Sequence, residues 1–296
     1  LIWKRKSPYG YGILFYLISL SIVSNIAFPV GTNLSERFLF MPSAGLLLLP
    51  AVWAYEALLV KKQMNWFIML FAPVLLLLGY KTIDRNTVWE SNATLFLTDV
   101  HTSVNSAKLQ NAAGGEKIRL AGLEKDSLKK SELLHEAIEH LQTALTIHPA
   151  YKNACLLLGN AHYYLSDYES AIAGYERALA LDPNYRDALA NIGLAYQQAG
   201  KYAGEVKNDL PGAIRFLENA NRYLPEDYET QRLLGIAYAI SNQPQKALPH
   251  FLKATDLEPD IPDAWRNLAN VYGQLGNSAK ASEYLLKADQ MKQREQ

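Results

Sequence analysis

The sequence predicts an all-α protein with about three apolar helices at its N-terminal end, followed by a solenoid of about five helix-pair repeats. Three stretches of the first third that are nearly free of charge, and a 34-residue period through the rest, carry that prediction. The charge distribution divides the chain in the same place. Residues 1–80 hold Lys4, Arg5, Lys6, Arg37, Lys61 and Lys62 against Glu36 and Glu56 alone, while the whole chain balances 29 basic with 29 acidic groups.

The first apolar stretch runs from Gly10 to Val30 without a charge, about the ~20 residues that cross a hydrocarbon core. The second runs from Phe38 to Val60 and the third, shorter, from Asn65 to Tyr80, extended by the interfacial rings of Trp66 and Tyr80. The expectation is a transmembrane region over 1–80 with spans at about 10–30, 38–60 and 65–80, and with membrane lipid as a partner. Three crossings place Lys4, Arg5, Lys6, Lys61 and Lys62 on one side, and the positive-inside rule makes that side cytoplasmic. Everything after Tyr80 is then expected on the periplasmic or lumenal side. Ser21, Ser24 and Asn25 share one face of the first span, where they either meet other helices or, for the serines, bond the backbone. Glu56, near Lys61, reads as a carboxylate reaching the interface. Residues 81–104 read as an interfacial linker helix with Trp89 and Phe96 on its apolar face.

From 105 to 296 the period dominates. Gly159 recurs as Gly193, Pro149 as Pro183 and Pro225 as Pro259, each 34 apart, whereas Pro183 and Pro225 are 42 apart and imply an eight-residue insertion. Ala137, Ala171, Ala213, Ala247 and Ala281 keep the same register, and Ala144, Ala178, Ala220, Ala254 and Ala288 follow them by seven. A period of 34 with small residues at fixed places is that of a tetratricopeptide repeat. The small residues let paired helices approach, large ones such as Tyr175, Phe251 and Trp265 fill the space between neighbours, and each proline stops a second helix. The insertion, around YAGEVKND from Tyr202, predicts a longer turn between the helices of the third unit. The first unit's second helix, HEAIEHLQTALTIHPAY, is plain; its first comes from VNSAKLQNAAGGEKIRL with a longer connection.

First helices line the concave face of such an array, where extended peptides dock. By register that face carries Asn160, Asn191, Asn267 and Asn270 with Arg232 and Arg266. An amide offers one donor and one acceptor edge to any peptide backbone, so a protein or peptide in the groove is the expected partner. The same residues would also serve as solvated surface or as partners of neighbouring loops.

Other chemistries find little support. Neither half has the concentrated basic face that nucleic acid requires, so no nucleic-acid partner is expected. Walker, GxGxxG and HExxH motifs are missing, and His135, His140, His148 and His162 fall at scattered helical phases, so no metal site is expected. Cys155, the one cysteine, reads as a small buried filler.

Two segments carry a family resemblance: GTNLSERFLFMPSAG between the first two stretches, with Glu36, Arg37, Phe38, Pro42, Ser43 and Gly45, and RNTVWESNATLF after the third. Together with apolar helices leading into repeats, they resemble the C-terminal part of the transmembrane-and-tetratricopeptide-repeat (TMTC) family, especially its bacterial relatives. The resemblance implies a GT-C class membrane glycosyltransferase that uses a polyprenyl- or dolichyl-phosphate-linked sugar and transfers mannose to exported proteins. It implies an integral protein of a bacterial inner membrane, with further N-terminal membrane helices before Leu1. The family's acidic catalytic residue lies in an early loop upstream, so no residue here takes the catalytic role and no cofactor is expected in this fragment. Arg37, beside Glu36, is the candidate for holding the lipid phosphate, or else it anchors a span end in the headgroups. A non-catalytic membrane-anchored scaffold for protein–protein interaction remains the alternative.

Overall fold

The computed structural model describes residues 7–23, 40–56, 58 and 64–294. The described residues form helices and turns in two compact units, with the boundary between Thr87 and Val88.

In the first unit, α1 (Pro8–Val23) packs on α2 (Phe40–Tyr55), and α3 (Met64–Val88) follows. The α1–α2 contact is a backbone approach through two glycines: a Cβ on Gly12 would lie 2.7 Å from the carbonyl oxygen of Gly45, and one on Gly45 2.6 Å from that of Gly12. Trp53 of α2 meets Phe71 of α3 with ring centroids 5.4 Å apart.

The predicted membrane spans require correction. Among the described residues no helix is long and apolar enough to cross a membrane. Within the described residues α1 and α2 span 16 residues each, about 24 Å at 1.5 Å per residue, against a hydrocarbon core of about 30 Å. α3 has 25 residues, but Lys81, Asp84 and Arg85 fall in its C-terminal third, which leaves a charge-free stretch of only 17 residues, 64–80. The expectation of three crossings at 10–30, 38–60 and 65–80 came from runs of apolar letters, and within the described residues no helix sustains such a run at spanning length. The sidedness derived from those crossings loses its premise. Arg37, Glu36, Ser24, Asn25, Lys61 and Lys62 lie outside the described residues.

The second unit opens with α4 (Asn92–Thr102). Ser91 caps it, its Oγ accepting from Thr94 N at 3.1 Å while Thr94 Oγ1 accepts from Ser91 N at 3.1 Å. Five antiparallel helix pairs follow: α5 (Ala107–Leu123) with α6 (Ser127–Ile147), α7 (Lys152–Tyr164) with α8 (Tyr168–Leu181), α9 (Arg186–Glu205) with α10 (Leu210–Tyr223), α11 (Tyr228–Ile240) with α12 (Pro244–Leu257), and α13 (Pro262–Gln274) with α14 (Ser278–Arg294). Successive first helices also touch, α5 with α7, α7 with α9, α9 with α11 and α11 with α13, as stacking in a solenoid requires.

Each pair closes on a small residue. A Cβ on Gly159 would stand 2.7 Å from Tyr175 Cδ1 and 3.0 Å from the carbonyl oxygen of Ala171; one on Gly235 would meet Phe251 at 2.7 Å. In the third pair that place belongs to Gly200, not to Gly193: a Cβ there would lie 2.6 Å from Leu217 Cγ and 3.2 Å from the carbonyl oxygen of Ala213. The first pair has Gly114 in the same setting, 2.6 Å from Leu141 Cγ and 3.1 Å from the carbonyl oxygen of Ala137.

A second series fixes the register independently. The residue four before each small position faces the residue three after each alanine: Gln110 with His140 (2.7 Å), Cys155 with Gly174, Tyr196 with Phe216, Gln231 with His250 (2.7 Å) and Trp265 with Tyr284 (centroids 5.7 Å). Hydrogen-bonded, small and aromatic pairs thus exchange at one packing layer. Cys155 is fully buried there and burial pushes its thiol pKa up, consistent with a filler.

The eight extra residues therefore do not make a long turn. α9 has 20 residues where α7, α11 and α13 have 13, so seven of the eight lengthen the helix. Seven residues are within about 20° of two full turns, which keeps the buried face in line. The eighth enters the turn, where Asp209 N bonds the carbonyl oxygen of Ala203, six residues back, instead of the five-residue closures Asp167 to His162, Gln243 to Tyr238 and Asn277 to Tyr272. The left-handed residue of that turn recurs as Ser166, Asn208, Asn242 and Gly276. The first unit differs likewise: α5 and α6 reach 17 and 21 residues with only residues 124–126 between them, so its extra length is helix, not connection.

Candidate functional site

Of the six predicted groove residues, the structure brings two together. Asn191 Nδ2 on α9 donates to Asn160 Oδ1 on α7 at 2.9 Å, and Tyr175 OH on α8 donates to the same oxygen at 2.8 Å. Burial pushes the Tyr175 hydroxyl pKa well up, so it remains a donor. Both acceptor lone pairs of Asn160 Oδ1 are then occupied, which leaves its amide N–H₂ and the carbonyl of Asn191 for other partners, and the two residues line a small cavity of about 150 Å³. Tyr163, Tyr164 and Leu194 complete its lining.

The amide chain continues toward the N-terminal side through residues that the sequence did not single out. Asn153 of α7 donates to Asn111 of α5 at 3.4 Å and accepts from Tyr185 OH at 3.2 Å. The signal was available, since Asn153 and Asn160 stand two turns apart on one helix.

The other four predicted residues do not join this pair. Arg232 on α11 holds Glu229 in a two-pronged bond at 2.7 and 2.7 Å, which raises its pKa further, and lines a different cavity, between α9, α10 and α11. Arg266 pairs with Asp263 at 2.9 Å and reaches Asp289 of α14 at 3.5 Å, a bond between the helices of the last pair. Asn267 is half-buried and Asn270 exposed on α13.

The lengthened α9 offsets the array. Its first half is bonded to α7 through Asn191 and Asn160, 31 residues apart. Its second half is bonded to α11 through Gln197, whose Nε2 donates to Asp227 Oδ2 at 2.6 Å and Thr230 Oγ1 at 2.8 Å, 30 and 33 residues on. α11 therefore begins two turns, or about 10 Å, further along α9 than a 34-residue repeat would place it. The cavity beyond Gln197 measures about 410 Å³; Leu217, Leu233, Ile236 and Ile240 give it an apolar wall, and Lys201, Glu205 and Arg232 a charged one.

Fold and site together define an α-solenoid of tetratricopeptide repeats with amide side chains aligned along its first helices. The tetratricopeptide-repeat patterns match residues 159–200 and 250–281. More particularly, the chain is similar in sequence to TMTC protein O-mannosyl-transferases. It is 28% identical over 261 residues to protein O-mannosyl-transferase TMTC3 of Mus musculus, covering 85% of this chain and 27% of that protein. It is 31% identical over 170 residues to Tmtc3 of Drosophila melanogaster, covering 56% of the chain and 17% of the relative. The chain thus spans about a quarter, or less, of the length of these relatives. Among solved structures it is similar to YrrB, described as a TPR protein with an unusual peptide-binding site, at 22% identity and a TM-score of 0.45, covering 66% of this chain and 91% of that one.

Proposed function

We propose that this chain is the polypeptide-binding repeat region of a protein O-mannosyltransferase of the TMTC type, holding the acceptor protein as an extended segment along its first helices. The observation that carries the reading is the Asn160–Asn191 pair. It presents one free donor edge and one free acceptor to a cavity on the face shared by consecutive first helices, which matches what any peptide backbone offers. The similarity to named O-mannosyl-transferases supports the enzymatic setting. In that setting the donor is a polyprenyl- or dolichyl-phosphate-linked sugar of the GT-C type, and the repeats select or present the acceptor.

Binding of a permanently unfolded protein, such as reduced and carboxymethylated α-lactalbumin, tests it against the native folded form. The chain is expected to bind the unfolded form alone, with affinity reduced about fivefold or more in the Asn160→Ala/Asn191→Ala double variant, since two backbone hydrogen bonds are lost. Equal binding by the double variant would remove the amides from the groove, and failure to bind any unfolded polypeptide would sink the reading.

A further inference from the structure

The two cavities along α9 are the same place in successive junctions. Asn160 follows Gly159 as Lys201 follows Gly200, and Asn191 stands 31 residues beyond Asn160 as Arg232 stands 31 beyond Lys201. In the earlier junction Tyr163, Tyr164 and Tyr175 fill the space, leaving about 150 Å³. In the later one these become Gly204, Glu205 and Leu217, and about 410 Å³ is open. The first junction carries Ile118 and the fourth Ala239 at the position of Gly204, so the glycine belongs to this junction alone among the four.

We propose that the cavity between α9, α10 and α11 is a recognition pocket for one aromatic side chain of the extended peptide, so that the amides hold backbone while this pocket reads sequence. The inference rests on the groove reading above. Three observations point to an aromatic occupant. The homologous junction is filled by tyrosine rings, so the shape made by these three helices is one that rings fit. The pocket continues the line of first helices on which the amide pair lies, and Ile240, 69% exposed, forms an apolar lip at its edge. Its wall also carries Lys201 and Arg232, the latter held by Glu229, with Glu205 beside them, and the two cations favour the face of an aromatic ring over an aliphatic chain. The chain uses that contact repeatedly elsewhere, with Lys152 5.0 Å from the Tyr185 ring centre and Lys280 4.9 Å from that of Tyr272.

Two probes separate this pocket from the groove. N-acetyl-phenylalaninamide is expected to shift the NMR signals of Leu233, Ile236 and Ile240 methyls in the whole chain, and N-acetyl-alaninamide to leave them. A fluorescent Gly-Ser peptide with one central Phe is expected to bind about tenfold tighter than the same peptide with Ala, as burial of one ring implies. Gly204→Tyr closes the pocket from within; a Cβ there meets only Ala213 Cβ, at an ordinary 3.5 Å, so the helix accepts it. That variant should bring the two peptides within about twofold of each other. Asn160→Ala/Asn191→Ala should weaken both peptides equally. If native protein binds the Phe and Ala peptides alike and ignores the phenylalanine probe, the pocket assignment is overturned while the groove stands. If neither peptide binds, the groove reading fails, and the inference with it. Self-association abolished by Gly204→Tyr would make a second copy of the chain the occupant and would also overturn the proposal.

Discussion

Gly193 and Gly200 lie on one face of α9, seven residues apart, and α10 closes over both: its middle packs Leu217 on Gly200, while Leu224, just past its end, meets Gly193. The first glycine keeps the sequence period and the second keeps the packing period. Because two turns separate them, one helix serves the preceding repeat with its first half and the following repeat with its second.

Gly200 and Gly204 should respond oppositely to alanine. Gly200→Ala forces a Cβ to 2.6 Å from Leu217 Cγ and should cost about 1–3 kcal/mol. Gly204→Ala meets nothing closer than 3.5 Å and should stabilise by about 0.5–1 kcal/mol through helix propensity. Urea unfolding of the two variants checks both signs, and equal destabilisation would overturn the distinction between a packed Gly200 and an open Gly204.

Helical phase across α9 is the next prediction. One alanine inserted between Leu194 and Ala195 turns the second half by about 100° and swings Gly200 and Gln197 off their partners. Proteolysis between the second and fourth repeats should rise sharply, whereas a seven-residue insertion at the same point should leave it near the native level.

Gln197 is 4% exposed and bridges two groups of the α11 N-terminus. Gln197→Leu keeps the volume but strips Asp227 and Thr230 of their shared donor, at a cost of about 1–2 kcal/mol. In the Gln197→Leu background Thr230→Val should cost less than in the native chain; additive effects would show that the bridge contributes nothing.

His140 and His250 should make the repeat unit acid-sensitive. Burial lowers both pKa values below the ordinary 6.5, and the charges of Lys117 and His101 for His140 and of Lys253 for His250 add to the effect, opposed by Glu136 and Glu139 in the first case and Glu218 in the second. The unfolded chain then binds protons that the folded one resists. Stability is full above about pH 6.5 and declines as pH falls from there toward the folded values. In His140→Gln/His250→Gln the slope of unfolding free energy between pH 7 and 5.5 should flatten, and an unchanged slope would assign the sensitivity to other groups.

The helical-repeat architecture was legible because a repeat states its packing many times over: the 34-residue recurrence of Pro149 and Pro225, and the five alanines from Ala137 to Ala281, each report one contact that the fold makes again in the next unit. Asn160 and Asn191 were legible as residues of successive first helices, but the bond between them was shown only by the structure. Apolar runs carried no such redundancy. The stretches around α1, α2 and α3 read as spans by composition, and among the described residues no helix is long and apolar enough to cross a membrane.

By itself, then, the sequence determined the repeat and most of its small and large packing positions, which follow from local periodicity. Only the tertiary structure decided where the eight added residues go. Their cost and benefit depend on α10 and α11, which are distant in sequence: a turn could have absorbed all eight, but seven placed in the helix preserve its buried face. That placement moves Gly200 into the packing layer and leaves Gly204 where the neighbouring junction has a tyrosine, which opens the cavity.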